Sequence, residues 1–142
     1  MSYFEQGRDP GDHDPSLSET GIAQAQALGK LLAEAPIDLA VCTGMLRTIQ
    51  TAELAIAPRS LEIEVIEGLS EAKTGNFEDI ESFEDMQKII TRAFDNAHEP
   101  EARFLTGESY AGLWDRVAAG WQGLLSRSDW TTAFVAAHGV VN

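Results

Sequence analysis

Two short apolar runs, Asp38–Cys42 (DLAVC) and Thr131–His138 (TTAFVAAH), lie between segments of helical periodicity, and this alternation constrains the chain more than any other feature. A buried strand followed by an amphipathic helix is the unit of an α/β fold with a mainly parallel sheet. The first helix is expected from about Ser18 to Glu34, with Ile22, Ala25, Leu28 and Leu32 on one face. The second is expected from about Gly44 to Ala57, capped by Thr43 and stopped by Pro58, with a stripe of Met45, Ile49, Ala52 and Ile56. Between them the chain enters the DLAVC strand. The run Leu61–Leu69 (LEIEVIEGL) alternates apolar and acidic residues and predicts a half-exposed edge strand.

Downstream, SEAKTGNFEDIE is a polar loop. Ser82 with Asp85 resembles a capping box and opens a helix to about His98, with the stripe Phe83, Met86, Ile90, Ala93, Phe94 and Ala97. The most regular helix is expected from Ser109 to Ser126, where Tyr110, Leu113, Trp114, Val117, Trp121 and Leu124 follow helical spacing. Near the start, residues 5–15 (EQGRDPGDHDP) are rich in Gly, Pro and Asp and read as a loop. The chain has 142 residues, 44% of them hydrophobic, which suits one domain spanning residues 1–142 with its own core.

A net charge of −13 argues against nucleic acid or an anionic membrane as partner. It also gives an anionic substrate no long-range attraction, so any phosphate site has to be built locally. No run approaches the roughly 20 apolar residues of a membrane span. The first 15 residues have neither a basic start nor an apolar stretch, so no signal peptide is read there. One cysteine excludes an internal disulfide framework and fits a cytoplasmic location.

Ligands of parallel α/β sheets sit beyond the carboxyl ends of the strands. The two apolar strands run into CTGMLR and AHG, which puts Arg47 and His138 on that edge. Arg47 falls in the first turn of its helix, where the dipole disfavours a cation. Either it points into water or pairs with a nearby acid, or an anion sits there, held by the guanidinium and the free helix N–H groups together. Glu71 lies in the loop GLSEAKTGNFED. The three residue types suit one phosphoryl group: Arg47 neutralising equatorial oxygens, His138 donating to them, and Glu71 protonating the leaving oxygen. The bland alternatives are a core histidine satisfied by backbone at 138 and a solvated carboxylate at 71. His13 and His98 read as loop and helix-end residues, and no His, Cys or carboxylate spacing suits a metal. Cys42 offers a rival, a cysteine-dependent phosphatase loop. Only four residues separate Cys42 from Arg47 where that loop has five, and Val41 stands where it has a histidine, so Cys42 reads as a buried strand residue.

Five segments together resemble the histidine phosphatase (phosphoglycerate mutase-like) superfamily: LSETGIAQAQALGKLL, VCTGMLRTIQTAELA with its R-x-x-Q-T-A pattern, GLSEAKTGNFED, GESYAGLWDRV and VAAHGVVN. The resemblance implies a three-layer α/β/α fold with a mainly parallel sheet. It implies phosphomonoester hydrolysis through a phosphohistidine, with a small phosphorylated substrate or phosphate ion as ligand and neither metal nor cofactor. Arg47 matches the clamping arginine, His138 the second histidine and Glu71 the general acid. The family's first motif, R-H-G at the end of the first strand, has no match. Met1 stands at about the residues that follow it, and the chain ends four residues after His138, where the family continues into a further helix. The resemblance therefore implies a fold incomplete at both ends, with the first central strand missing, the two apolar strands exposing unpaired edges, marginal stability and little activity in this polypeptide. A misplaced start or a fragment accounts for this better than a true pseudoenzyme, since Arg47, Glu71 and His138 all remain. The alternative function is a non-catalytic phospho-ligand binding or interaction module. Substrate choice falls to residues 5–15 and 72–108, where the acidic EDIESFED favours a monoester with few further charges.

Overall fold

The structure, a computed structural model, describes residues 14–75 and 82–141. Residues 5–13 of the expected 5–15 loop, including His13, and the segment 76–81 lie outside the described residues, as do the side chains of Phe83, Met86 and Ile90. The elements are α1 (Glu19–Leu31), β1 (Leu39–Cys42), α2 (Leu46–Ile56), β2 (Ile63–Val65), α3 (Phe83–Thr91), α4 (Tyr110–Leu125) and β3 (Ala133–Ala136), with 3-10 turns at Glu67–Leu69 and Phe104–Thr106. This is an α/β fold whose strands form a parallel sheet in the order β2-β1-β3. Two compact units are present, one running to Ile66 and including Ser128–Ala136, the other comprising Glu67–Arg127 and the residues from Ala137.

In the first unit β1 is the central strand, fully buried and bonded on both sides, Cys42 lying opposite Val65 and Ala136. The expectation that both apolar strands expose unpaired edges is thus corrected. β1 and β3 pair directly with each other, and among the described residues only β3, of those two, has a free side. β3 is also shorter than expected, ending at Ala136 rather than His138, and is only half-buried. β2 is the expected edge strand but covers three residues of the nine, because Leu69 turns into a 3-10 turn and is fully buried there. Asp38 links the starts of β1 and β3: its carboxylate accepts the amides of Thr131 and Thr132 at 2.9–3.0 Å. The Thr132 amide is the main reason its carboxyl lies below the usual range, against a smaller opposing effect of burial.

α2 packs on β1 and β3, and α1 packs on α2. The buried residues of α1 are Ala25 and Gly29, whereas Ile22 is exposed, which corrects the expected large-residue face. The reason is close backbone approach: a Cβ on Gly29 would lie 2.9 Å from the Leu54 carbonyl oxygen. Ser18 caps α1 through the Gly21 amide. At its other end Arg59 donates to the carbonyls of Leu32, Ala33 and Ala35.

The second unit is built on α4, with Tyr110, Leu113, Val117 and Leu124 buried and Ser109 as N-cap. Trp114, expected in the stripe, is 69% exposed, since it lies a full 100° around the helix from Leu113. α3 stops at Thr91, short of the expected His98, and gives way to turns; Ser82 caps it through the Asp85 amide at 3.1 Å. Rings of Phe94, Phe104 and Tyr110 pack with centroids 5.5–6.5 Å apart. Among the described residues no helix is long and apolar enough to cross a membrane.

Candidate functional site

Arg47 is the second residue of α2, in the first unit. The turn that delivers it, Thr43-Gly44-Met45, needs a left-handed residue, supplied by Gly44 at φ +86°. Thr43 is not the helix cap. Met45 holds that position without a side-chain bond, and Thr43 is buried against Thr48. The Thr48 hydroxyl donates to the Met45 carbonyl at 2.7 Å, so it accepts from the Thr43 hydroxyl at 3.0 Å and from the Thr43 amide at 3.3 Å. The cap at the helix start comes instead from a distant acid: Asp14 Oδ1 accepts the Leu46 amide at 2.7 Å and lies 3.8 Å from Arg47 Nη1. Of the two readings of Arg47, the structure shows the pairing with a nearby acid, Asp14, which also takes the Leu46 amide.

The rest of R-T-I-Q-T-A has equally local reasons. Gln50 accepts the Leu17 amide at 2.7 Å, Thr51 donates to the Arg47 carbonyl at 2.7 Å, and Ala52 is fully buried in the core. Cys42 packs in that same core with Ala52 and Ala136 and is 1% exposed, a buried strand residue as expected.

Glu71 and His138 belong to the second unit and come together there. His138 follows β3 by two residues and is buried. Its Nδ1 lies 3.8 Å from Glu71 Oε2, and the half-buried carboxylate's other oxygen accepts the Ala72 amide at 3.1 Å. Glu71 is thus no freely solvated loop residue. His98, by contrast, is exposed beside Glu99. Among the described residues no group of three or more His, Cys, Asp or Glu side chains could hold a metal ion.

Sequence reasoning missed the residues that hold the Glu71 loop. Arg116, on α4, donates to the carbonyls of Gly68 (2.9 Å), Ser70 (2.7 Å) and Glu71 (2.9 Å). It also forms a two-pronged pair with Glu108, at 2.9 Å and 2.5 Å. Glu108 further accepts the Lys73 amide at 2.7 Å, and its own amide donates to the Lys73 carbonyl at 2.9 Å. Burial pushes the Glu108 carboxyl up, but its bonds from Arg116 and Lys73 together outweigh this and hold it below the usual range. The contact is close enough that a Cβ on Gly107 would lie 1.8 Å from the Lys73 carbonyl oxygen. Leu105 and Thr106, beside it, both carry positive φ, at 46° and 61°. The available signal was the G-E-S helix start followed by an arginine on the same helix.

Known proteins agree with this architecture. The family model of the histidine phosphatase superfamily (branch 1) matches residues 2–142. No curated protein matches the sequence closely enough to stand as a relative. Among solved structures the chain is similar to the alpha-ribazole phosphatase of Shigella flexneri, at 26% identity and a TM-score of 0.72, over 90% of this chain and 65% of that one. It is also similar to a mycobacterial glucosyl-3-phosphoglycerate phosphatase in complex with inorganic phosphate, at 23% identity and a TM-score of 0.73, over 95% of this chain and 69% of that one. A third is the phosphoglycerate mutase of Bacillus anthracis, at 21% identity and a TM-score of 0.76, over 94% of this chain and 68% of that one. The last two likenesses are of fold, and the chain spans just under two thirds of the Shigella protein's length. With the matching model running through β1, α2, the Glu71 loop, α4 and His138, the chain belongs to the histidine phosphatase superfamily, branch 1.

Proposed function

We propose that the chain carries the binding and acid–base part of a phosphatase centre that works through a phosphohistidine. In this reading Arg47, Glu71 and His138 serve one phosphoryl group. Arg47 clamps its oxygens, His138 hydrogen-bonds them as an attacking histidine nitrogen bonds phosphorus and the P–O bond breaks, and Glu71 gives its proton to the leaving oxygen. Glu71 then takes a proton from the water that attacks phosphorus, and the P–N bond of the intermediate breaks to release phosphate. The observation that carries the reading is the Glu71 carboxylate held 3.8 Å from the buried His138 imidazole. The likeness to an alpha-ribazole phosphatase favours hydrolysis over mutase chemistry, and the acidic 72–108 region favours a small monoester with few further charges. A cytoplasmic location goes with this reading, supported by a single cysteine that is free and buried.

The attacking histidine is the missing component. No Arg-His-Gly tripeptide occurs in the 142 residues, and of three histidines only His138 sits in a matching motif. The 142-residue polypeptide by itself is accordingly assigned little turnover, and that absence also favours, as the second reading, a phospho-ligand binding module. The test is hydrolysis of p-nitrophenyl phosphate by this chain and by a longer polypeptide that supplies an R-H-G strand, with detection of acid-labile phosphohistidine. The expected result is activity and phosphohistidine in the longer polypeptide alone. Equal turnover by the 142-residue chain, undiminished by His13→Ala, would refute the assignment.

A further inference from the structure

We propose that Arg116 is the positioning residue of this centre, fixing with Glu108 the backbone from Gly68 to Lys73 so that the Glu71 carboxylate faces His138. A guanidinium has five N–H donors in a rigid fork, and here each has its own acceptor. Three of those acceptors are carbonyls of a segment with no ladder of its own, and one is the carbonyl of Glu71 itself. The side chain that projects from that fixed carbonyl has one oxygen tied to the Ala72 amide and the other turned to His138. Glu108 closes the arrangement from the opposite side by holding both the guanidinium and the Lys73 amide. A lysine at 116 would place one point charge with three donors from a single nitrogen, and would not span three carbonyls and a carboxylate fork.

The inference rests on the phosphatase reading only for what Glu71 does; the positioning itself is independent of turnover. It is tested by following the imidazole resonances of the 142-residue chain through a pH titration, with His98 as internal reference, in the parent, Glu71→Gln, Arg116→Lys and Glu108→Gln. Loss of a carboxylate beside His138 is expected to lower its titration midpoint in Glu71→Gln. Arg116→Lys and Glu108→Gln are expected to reproduce most of that shift while His98 stays unmoved. A purely structural role would lower the urea midpoint of both variants and leave the His138 titration as in the parent, and that result would overturn the proposal. So would an unmoved His138 in Glu71→Gln, because there would then be no coupling to maintain. If Arg116→Lys does not fold, the near-isosteric Glu108→Gln decides alone. The phosphatase reading fails by a separate result, the absence of any response of His138 to added phosphate.

Discussion

Replacing Gly29 by alanine sets two effects of opposite sign against each other. In an exposed helix interior the change stabilises by up to about 1 kcal/mol, since alanine is the better helix former. At Gly29 the added Cβ would meet the Leu54 carbonyl oxygen at 2.9 Å, the Ala55 carbonyl oxygen at 3.1 Å and the Ala55 Cα at 3.3 Å. All three are backbone atoms of α2, so no side chain can swing aside, and α1 and α2 have to part by several tenths of an ångström. Overpacking of this kind costs about 1–3 kcal/mol, which leaves a net destabilisation of up to about 2 kcal/mol after the propensity gain is subtracted. Gly123, in α4, is the control, because a Cβ there meets nothing within 4 Å. Urea unfolding of the two variants is expected to move the midpoints apart, Gly29→Ala downward and Gly123→Ala upward. If Gly29→Ala is as stable as Gly123→Ala, the close α1–α2 contact that sets the position of α2 and its Arg47 is refuted.

Two other contacts give further outcomes. Glu108 has a carboxyl held below its ordinary value in the fold, so its contribution is fully present above that ordinary value of 4.5 and is lost as pH falls through the lower folded one. Urea midpoints measured from pH 6 down to pH 3 should fall more steeply in the parent than in Glu108→Gln, which has no carboxyl to titrate there. Thr48→Val removes the hydroxyl that accepts from Thr43 and donates to Met45, and is expected to cost about 1–2 kcal/mol in the same assay.

How far the sequence could be read depended on the kind of interaction. Hydrophobic patterning located the seven helices and strands among the described residues, the helices and β2 by their periodicity and β1 and β3 as short apolar runs. It misjudged the contact face of α1, where Gly29 and Ala25 are chosen for smallness rather than hydrophobicity, and it placed Trp114 in a stripe that the packing of α4 does not include. The capping error at Thr43 has a related origin. Its hydroxyl serves Thr48, and the cap comes from Asp14, 32 residues before the Leu46 amide it accepts. Glu71 and His138 were each marked by a motif, and the structure holds their side chains 3.8 Å apart. Arg116 was not so legible, because its bonds reach back to Gly68 across 48 residues and no local spacing records them.

The central claim, that Arg47, Glu71 and His138 serve one phosphoryl group, is tested most directly by titrating inorganic phosphate into the 142-residue chain while observing the His138 imidazole. Phosphate is expected to shift that resonance, and Arg47→Ala to weaken the response at least tenfold, about 1.4 kcal/mol of binding. A His138 resonance indifferent to phosphate, or one that responds equally well without Arg47, would contradict the account.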